Sequence, residues 1–335
     1  MTPLEINKDI EIEFTKVGDF LRRPKPRGPQ EVMIKYFPII DLRFSNERAV
    51  EEVLTIIRKL EYFFHLMQNR CTYLEQVVFL NEKGDECVIV DQAKPQDVSI
   101  KNESEEFWDP KTINWYTDVE STSLMLKNWL SFSDDIFPIL SFYRRTKYSA
   151  GFIESRLVDV CQLLEQTFLM FFGKKPIIYK RNFEKNIFPV LCNSIENIVS
   201  KEELDAFKEN LRFINKISMK DMIFAIIESF NFKINSLKKG VRKRENKEIL
   251  CVVSRIVKAR NLITHKQSLV ESHDENEVNH KYICVLLEIF ELYLLNMVGC
   301  SEKQLSERVS LGYIRFLLFD YGLFEDVKEK LIEIV

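Results

Sequence analysis

A mainly α-helical protein, with a C-terminal helical bundle preceded by a small α+β domain, is what three features of this 335-residue sequence predict. Only nine glycines occur and no two lie closer than ten positions, and a chain so poor in turn-formers favours long helices over a many-stranded barrel or sandwich. From about residue 121 onward the apolar residues recur only at helical spacing. Before about residue 92, short runs rich in β-branched and aromatic residues alternate with turn signals.

The strand candidates are EIEFTKV from Glu11, VMIKYFPII from Val32, LEQVVFL from Leu74 and ECVIVDQ from Glu86. Between the second and third, Val50, Val53, Leu54, Ile57, Leu60, Phe64 and Met67 mark an amphipathic helix over 46–67. Residues 92–112 are polar, hold two prolines and sustain no period, so they read as a linker. The expected division is therefore 1–105, a strand-rich domain with a sensing or regulatory role, and 106–335, the helical bundle. Helices are expected over 122–147, 151–173, 194–213, 219–236, 246–265 and 277–298, followed by two short ones.

Composition excludes several chemistries. The Walker A loop, the dinucleotide G-x-G-x-x-G turn and the G-x-S-x-G elbow each need two glycines within about five positions. The seven cysteines are never closer than sixteen positions, so no C-x-x-C knuckle exists and the odd count gives no disulfide framework. Histidine is confined to positions 65, 265, 273 and 280, and no clustered ligand set predicts a metal or other cofactor. The start, MTPLEINKDIEIEF, carries acids where a signal peptide needs a basic opening. With the cysteine usage this gives a cytoplasmic expectation. The most apolar stretch, Tyr282 to Val298, contains Glu288 and Glu291 and reads as a buried core helix rather than a membrane span. A net charge of −3 says nothing of partners, so any nucleic-acid surface must be a local patch.

One helix carries an anomaly. Setting Ile249 at 0° and advancing 100° per residue places Val252, Val253, Ile256, Val257 and Ile263 on one stripe, with Arg260 at roughly 20° within it. A guanidinium there is costly unless a carboxylate, a phosphate or water receives it. Asn261 and His265, one turn apart, lie at the edge of the same stripe. In the helix over 151–173, Glu165 is surrounded at its helical neighbours by Val158, Cys161, Phe168, Leu169 and Phe172. Glu165 is therefore expected to approach Arg260, either as a structural ion pair or as the acid that positions it.

The segment Arg260-Asn261-Leu262-Ile263-Thr264-His265, R-N-x-x-x-H closing a helix in an all-helical bundle, resembles the signature of the HEPN superfamily of ribonucleases. The order of parts from Phe107 is similar to the ApeA-like HEPN proteins of bacterial anti-phage defence: the aromatic NWYTD, a long helix, a helix with an inward Glu, then the motif. A second Arg-to-His spacing, Arg58 to His65, has Lys59 rather than Asn, Asp or His after the Arg and sits in the helix of the strand-rich part, so it is read as a decoy.

The resemblance implies a metal-independent endoribonuclease that cleaves RNA by its own 2′-hydroxyl, leaving 2′,3′-cyclic phosphate. Histidine can take and return protons near neutral pH, while a fixed guanidinium and an amide can hold the charge that develops on phosphate. Arg260, Asn261 and His265 are the expected catalytic residues and Glu165 an accessory. One histidine per chain suggests a two-fold homodimer with a composite active site, the arrangement the resemblance also implies. The expected substrates are tRNA or single-stranded RNA, with a phage-derived trigger and no membrane partner.

The basic run over 238–247 has two readings, a solvated loop or a guide for RNA phosphates through Lys239, Arg242, Lys243 and Arg244. Two other functions remain open on the residues alone. One is a non-catalytic dimeric interaction or nucleotide-binding module on the same scaffold, and the other an antitoxin-like partner of another nuclease.

Overall fold

The computed structural model describes residues 4–7, 10–23, 31–46, 48–69, 77–80, 86–89, 119–148, 151–173, 182–196, 198–214, 217–234, 241–265 and 273–320. Strands β1 (Leu4–Asn7), β2 (Ile10–Arg23) and β3 (Glu31–Phe44) form an antiparallel sheet in that order. The β2–β3 register runs from Ile10 opposite Phe44 to Arg23 opposite Glu31, and Pro38 is accommodated because β3 is an edge strand. A second antiparallel pair joins β4 (Val77–Leu80) to β5 (Glu86–Ile89). Between the two sheets in sequence lies α1 (Val50–Gln68), which buries Val53, Ile57, Leu60, Phe63 and Phe64 as its spacing demands. The decoy His65 is among its buried residues.

The rest of the described chain is helical: α2 (Val119–Leu130), α3 (Ile136–Tyr148), α4 (Ile153–Phe171), α5 (Phe188–Ile195), α6 (Lys201–Ile214), α7 (Met219–Asn231), α8 (Asn246–His265), α9 (His273–Met297), α10 (Glu302–Leu311) and α11 (Ile314–Leu318). The mainly α fold is the one expected. Three details differ. The single helix expected over 122–147 is two, because Ser131, Ser133, Asp134 and Asp135 between them compete with the backbone for hydrogen bonds. A π-helical turn, Phe183–Ile187, leads into α5, with Pro189 in the first turn where its missing N–H is harmless. Helix α9 begins at His273, four residues before the start expected at 277. Trp108, Trp115 and the linker over 92–112 lie outside the described residues.

The chain divides into two compact units that do not follow chain order. The first comprises 1–95, 103–134 and 295–304. Helix α2, which lies beyond the expected boundary near 105, packs with α1 and β1. Lys59, buried on α1, donates from Nζ to the carbonyl of Phe132 (2.6 Å) and pairs with Asp134 (2.9 Å), while Trp129 Nε1 donates to the Lys59 carbonyl (2.6 Å).

The second unit comprises 96–102, 135–294 and 305–335. Here α4 packs against α3, α7 and α8, and α7 against α8. The shared core includes Leu157, Val160 and Leu164 of α4, Ile223, Ile226 and Ile227 of α7, and Ile249, Val253 and Ile256 of α8. Helix α9 is apolar nearly all round and fully buried from Tyr282 to Leu294 apart from half-buried Cys284, as expected of a core helix. Its Phe290 ring meets Tyr143 of α3 at 4.8 Å, and its Tyr293 ring meets Phe171 of α4 at 5.3 Å.

The two carboxylates of α9 carry more than the sequence reading assigned them. Glu291 accepts three hydrogen bonds of 2.7 Å, from the Tyr143 hydroxyl, Lys147 Nζ and Arg308 Nη2. Burial opposes its ionisation, but Lys147 and Arg308 outweigh burial and hold the carboxyl well below the usual range. Burial first, then the Glu291 charge, pushes the Tyr143 phenol well above its ordinary value, so it stays a donor. Glu288 accepts from the backbone N–H of Ile314 at 2.7 Å, supplying one partner that the start of α11 needs. Gly312 passes so close that a Cβ there would stand 2.5 Å from Glu288 Oε2.

Candidate active site

Helix α8 positions the motif. Its start is held by Glu248, which accepts from the Glu245 backbone N–H at 2.8 Å and receives a two-pronged grip from Arg242 at 2.6 and 3.0 Å. Those bonds bring the Glu248 carboxyl down to about 2. Along the helix, Ile249, Val252, Val253 and Ile256 are buried and Val257 and Ile263 half-buried, which is the stripe drawn from the sequence.

Arg260 is half-buried, and its Nε is buried with no hydrogen-bond partner among the described residues. Its Nη1 donates to Asn261 Oδ1 at 3.1 Å. The last turn is tightened by the Thr264 hydroxyl, which donates to the carbonyls of Arg260 (3.1 Å) and Asn261 (3.0 Å). Asn261, Leu262 and Thr264 are exposed. His265 is the last residue of α8, and its side chain lies outside the described residues.

Facing this turn is α4. Cys161 is wholly buried, and burial pushes its thiol up to about 12, with the Arg260 guanidinium pulling it down and Glu165 pushing it further up. Arg260 and Glu165 therefore both act on one buried sulfur. The ion pair expected between them does not form: among the described residues no contact within 4 Å joins the two side chains, and Glu165 is half-buried. The helical wheel gave the correct facing sides of α4 and α8 but carried no information on height along the axes. A guanidinium clipped by an amide, with a buried N–H left unpaired, is a donor set suited to an anion. Cys161 is the member of this cluster that the sequence reading treated only as an apolar neighbour.

The basic run has a different arrangement from a solvated loop. Lys239 lies outside the described residues. Arg242 is bound to Glu248 and also reaches Asp320 at 3.4 Å. Lys243 Nζ donates to the carbonyls of Asn231 (2.5 Å) and Ile234 (2.7 Å), capping the end of α7 as a cation should. Arg244, nearly buried, donates to the Phe319 carbonyl at 3.3 Å and reaches Asp320 at 3.4 Å. These three cations tie the approach to α8 onto α7 and onto the stretch after α11. Among the described residues no three His, Cys, Asp or Glu side chains gather as a metal site, and no helix is long and apolar enough to cross a membrane.

A helical bundle in which R-N-x-x-x-H closes a packed helix, facing a helix with a carboxylate, has the form of a HEPN domain. The family model described as Apea-like HEPN matches residues 158–304. That span runs from α4 to the start of α10 and contains Cys161, Glu165, Arg260, Asn261 and His265. Over these residues the chain is similar to Apea-like HEPN proteins, a similarity that points to a ribonuclease or defence-related function. No curated protein and no solved structure matches the chain.

Proposed function

We propose that the protein is a metal-independent HEPN endoribonuclease in which Arg260, Asn261 and His265 are catalytic and Glu165 is accessory. The observation that carries this reading is the Arg260 guanidinium, held by Asn261 and left with a buried, unpartnered Nε in the final turn of α8. The match to the Apea-like HEPN model supports it.

In this mechanism the 2′-hydroxyl attacks the adjacent phosphate, one imidazole takes its proton, and another protonates the departing 5′ oxygen. Arg260 and Asn261 hold the negative charge that grows on the phosphorus oxygens. Acid and base on opposite sides of one phosphate call for two copies of His265, hence a two-fold homodimer with a composite site. The substrates are tRNA or single-stranded RNA. The strand-rich part over 1–105 senses infection or restrains the nuclease of 106–335, with a phage-derived trigger.

The test is incubation of the purified full chain with total tRNA and with single-stranded RNA in EDTA, beside Arg260→Ala and His265→Ala. Cleavage by the wild type alone supports the reading. Equal cleavage by all three overturns the assignment of residues. Complete biological effect from a folded His265→Ala protein would favour the binding-module alternative.

A further inference from the structure

Helices α3 and α4 flank a shallow, open concavity of about 470 Å³ lined by Pro138, Ser141, Phe142, Arg145, Gln162 and Gln166. Four of its residues are arranged for one kind of guest. The Arg145 guanidinium sits over the Phe142 ring, 4.9 Å from its centroid, and no carboxylate pairs with it among the described residues. This makes a planar cationic platform beside an aromatic one, the pairing on which unstacked bases rest. Gln162 and Gln166 are exposed, one turn apart on α4, and among the described residues neither amide has a hydrogen-bond partner within the chain. Each offers one donor and one acceptor side by side, which matches the N6 donor and N7 acceptor of adenine.

The location is as informative as the chemistry. Gln162 follows Cys161 and Gln166 follows Glu165, so the concavity borders the face of α4 that looks toward Arg260.

We propose that this concavity is a base-binding subsite for adenine in single-stranded RNA, with Gln162 and Gln166 reading the base edge, Arg145 and Phe142 supporting its face, and the N–H edge of Arg145 directed at a phosphate. The subsite rests on the RNA reading given above, but its own binding is measurable without cleavage.

The experiment measures binding of adenosine and uridine monophosphates to the full chain by calorimetry or ligand-detected NMR, for the wild type and Gln162→Ala/Gln166→Ala. Both side chains are exposed, so the variant should melt as the wild type does. The expected result is tighter binding of the adenine nucleotide, with the preference reduced about 5- to 150-fold in the variant, the range for losing a bidentate base contact. Arg145→Ala should weaken both nucleotides. Equal affinity for the two nucleotides, no binding of either, or a preference unchanged in the variant overturns the proposal. Adenine preference in a protein that cuts no RNA would retain the subsite and remove the nuclease reading. Cleavage that persists while nucleotide binding shows no preference would do the reverse.

Discussion

Glu291→Gln tests the buried polar centre of the second unit. The carboxylate is 2% exposed and receives Tyr143 and Lys147 of α3 and Arg308 of α10. Lys147 and Arg308 are themselves 14% and 3% exposed, so neutralising Glu291 strands two buried cations. Removing one partner from a buried pair costs about 3–5 kcal/mol. For a unit of this size each kcal/mol lowers the melting temperature by about 2–4 °C, so the expected drop is about 10 °C. The pH dependence follows from the depressed carboxyl. Unfolded, it titrates near 4.3; folded, it titrates lower, so its stabilisation is complete above about pH 5 and is lost as pH falls through the folded value. The wild type should therefore lose stability on acidification more steeply than Glu291→Gln. Urea melts followed by circular dichroism between pH 3 and 7 make both comparisons. A loss below about 1 kcal/mol, the size of a surface ion pair, or parallel acid limbs would refute the assignment.

Gly312→Ala forces a methyl against the Glu288 carboxylate and displaces it from the Ile314 N–H, costing about 1–3 kcal/mol in a thermal melt; an unchanged melt would contradict that contact. In the native protein Cys161 should resist iodoacetamide at pH 8 while exposed Cys251 reacts, as read by peptide mass spectrometry. Early labelling of Cys161 would show that the Arg260 face of α4 opens. Lys243→Ala should destabilise by about 1–3 kcal/mol because two carbonyls at the end of α7 lose their donor. A variant that melts like the wild type yet loses RNA affinity would assign Lys243 to RNA instead.

What could be read from the residues alone was whatever local periodicity encodes. The stripe of α8, the anomaly of Arg260 within it and the inward face of Glu165 all emerge from a 3.6-residue period. Four of the five strands were also anticipated from composition and turn signals, whereas β1, four residues long, is too short to show a pattern. Non-local pairing was not readable. The partners of Glu291 lie 144, 148 and 17 positions away, and those of Arg244 lie 75 and 76 away. A charge run looks like a solvated loop until its distant acceptors are known. For the same reason Glu165 and Arg260 looked like a pair, although their side chains make no contact within 4 Å.

The central claim stands most directly on the ends of the cut RNA. Single-stranded RNA incubated in EDTA with the wild type should yield fragments ending in 2′,3′-cyclic phosphate, and His265→Ala, folded to the same melting temperature, should yield none. Fragments with 3′-hydroxyl ends, or cyclic ends produced equally by the variant, would contradict it.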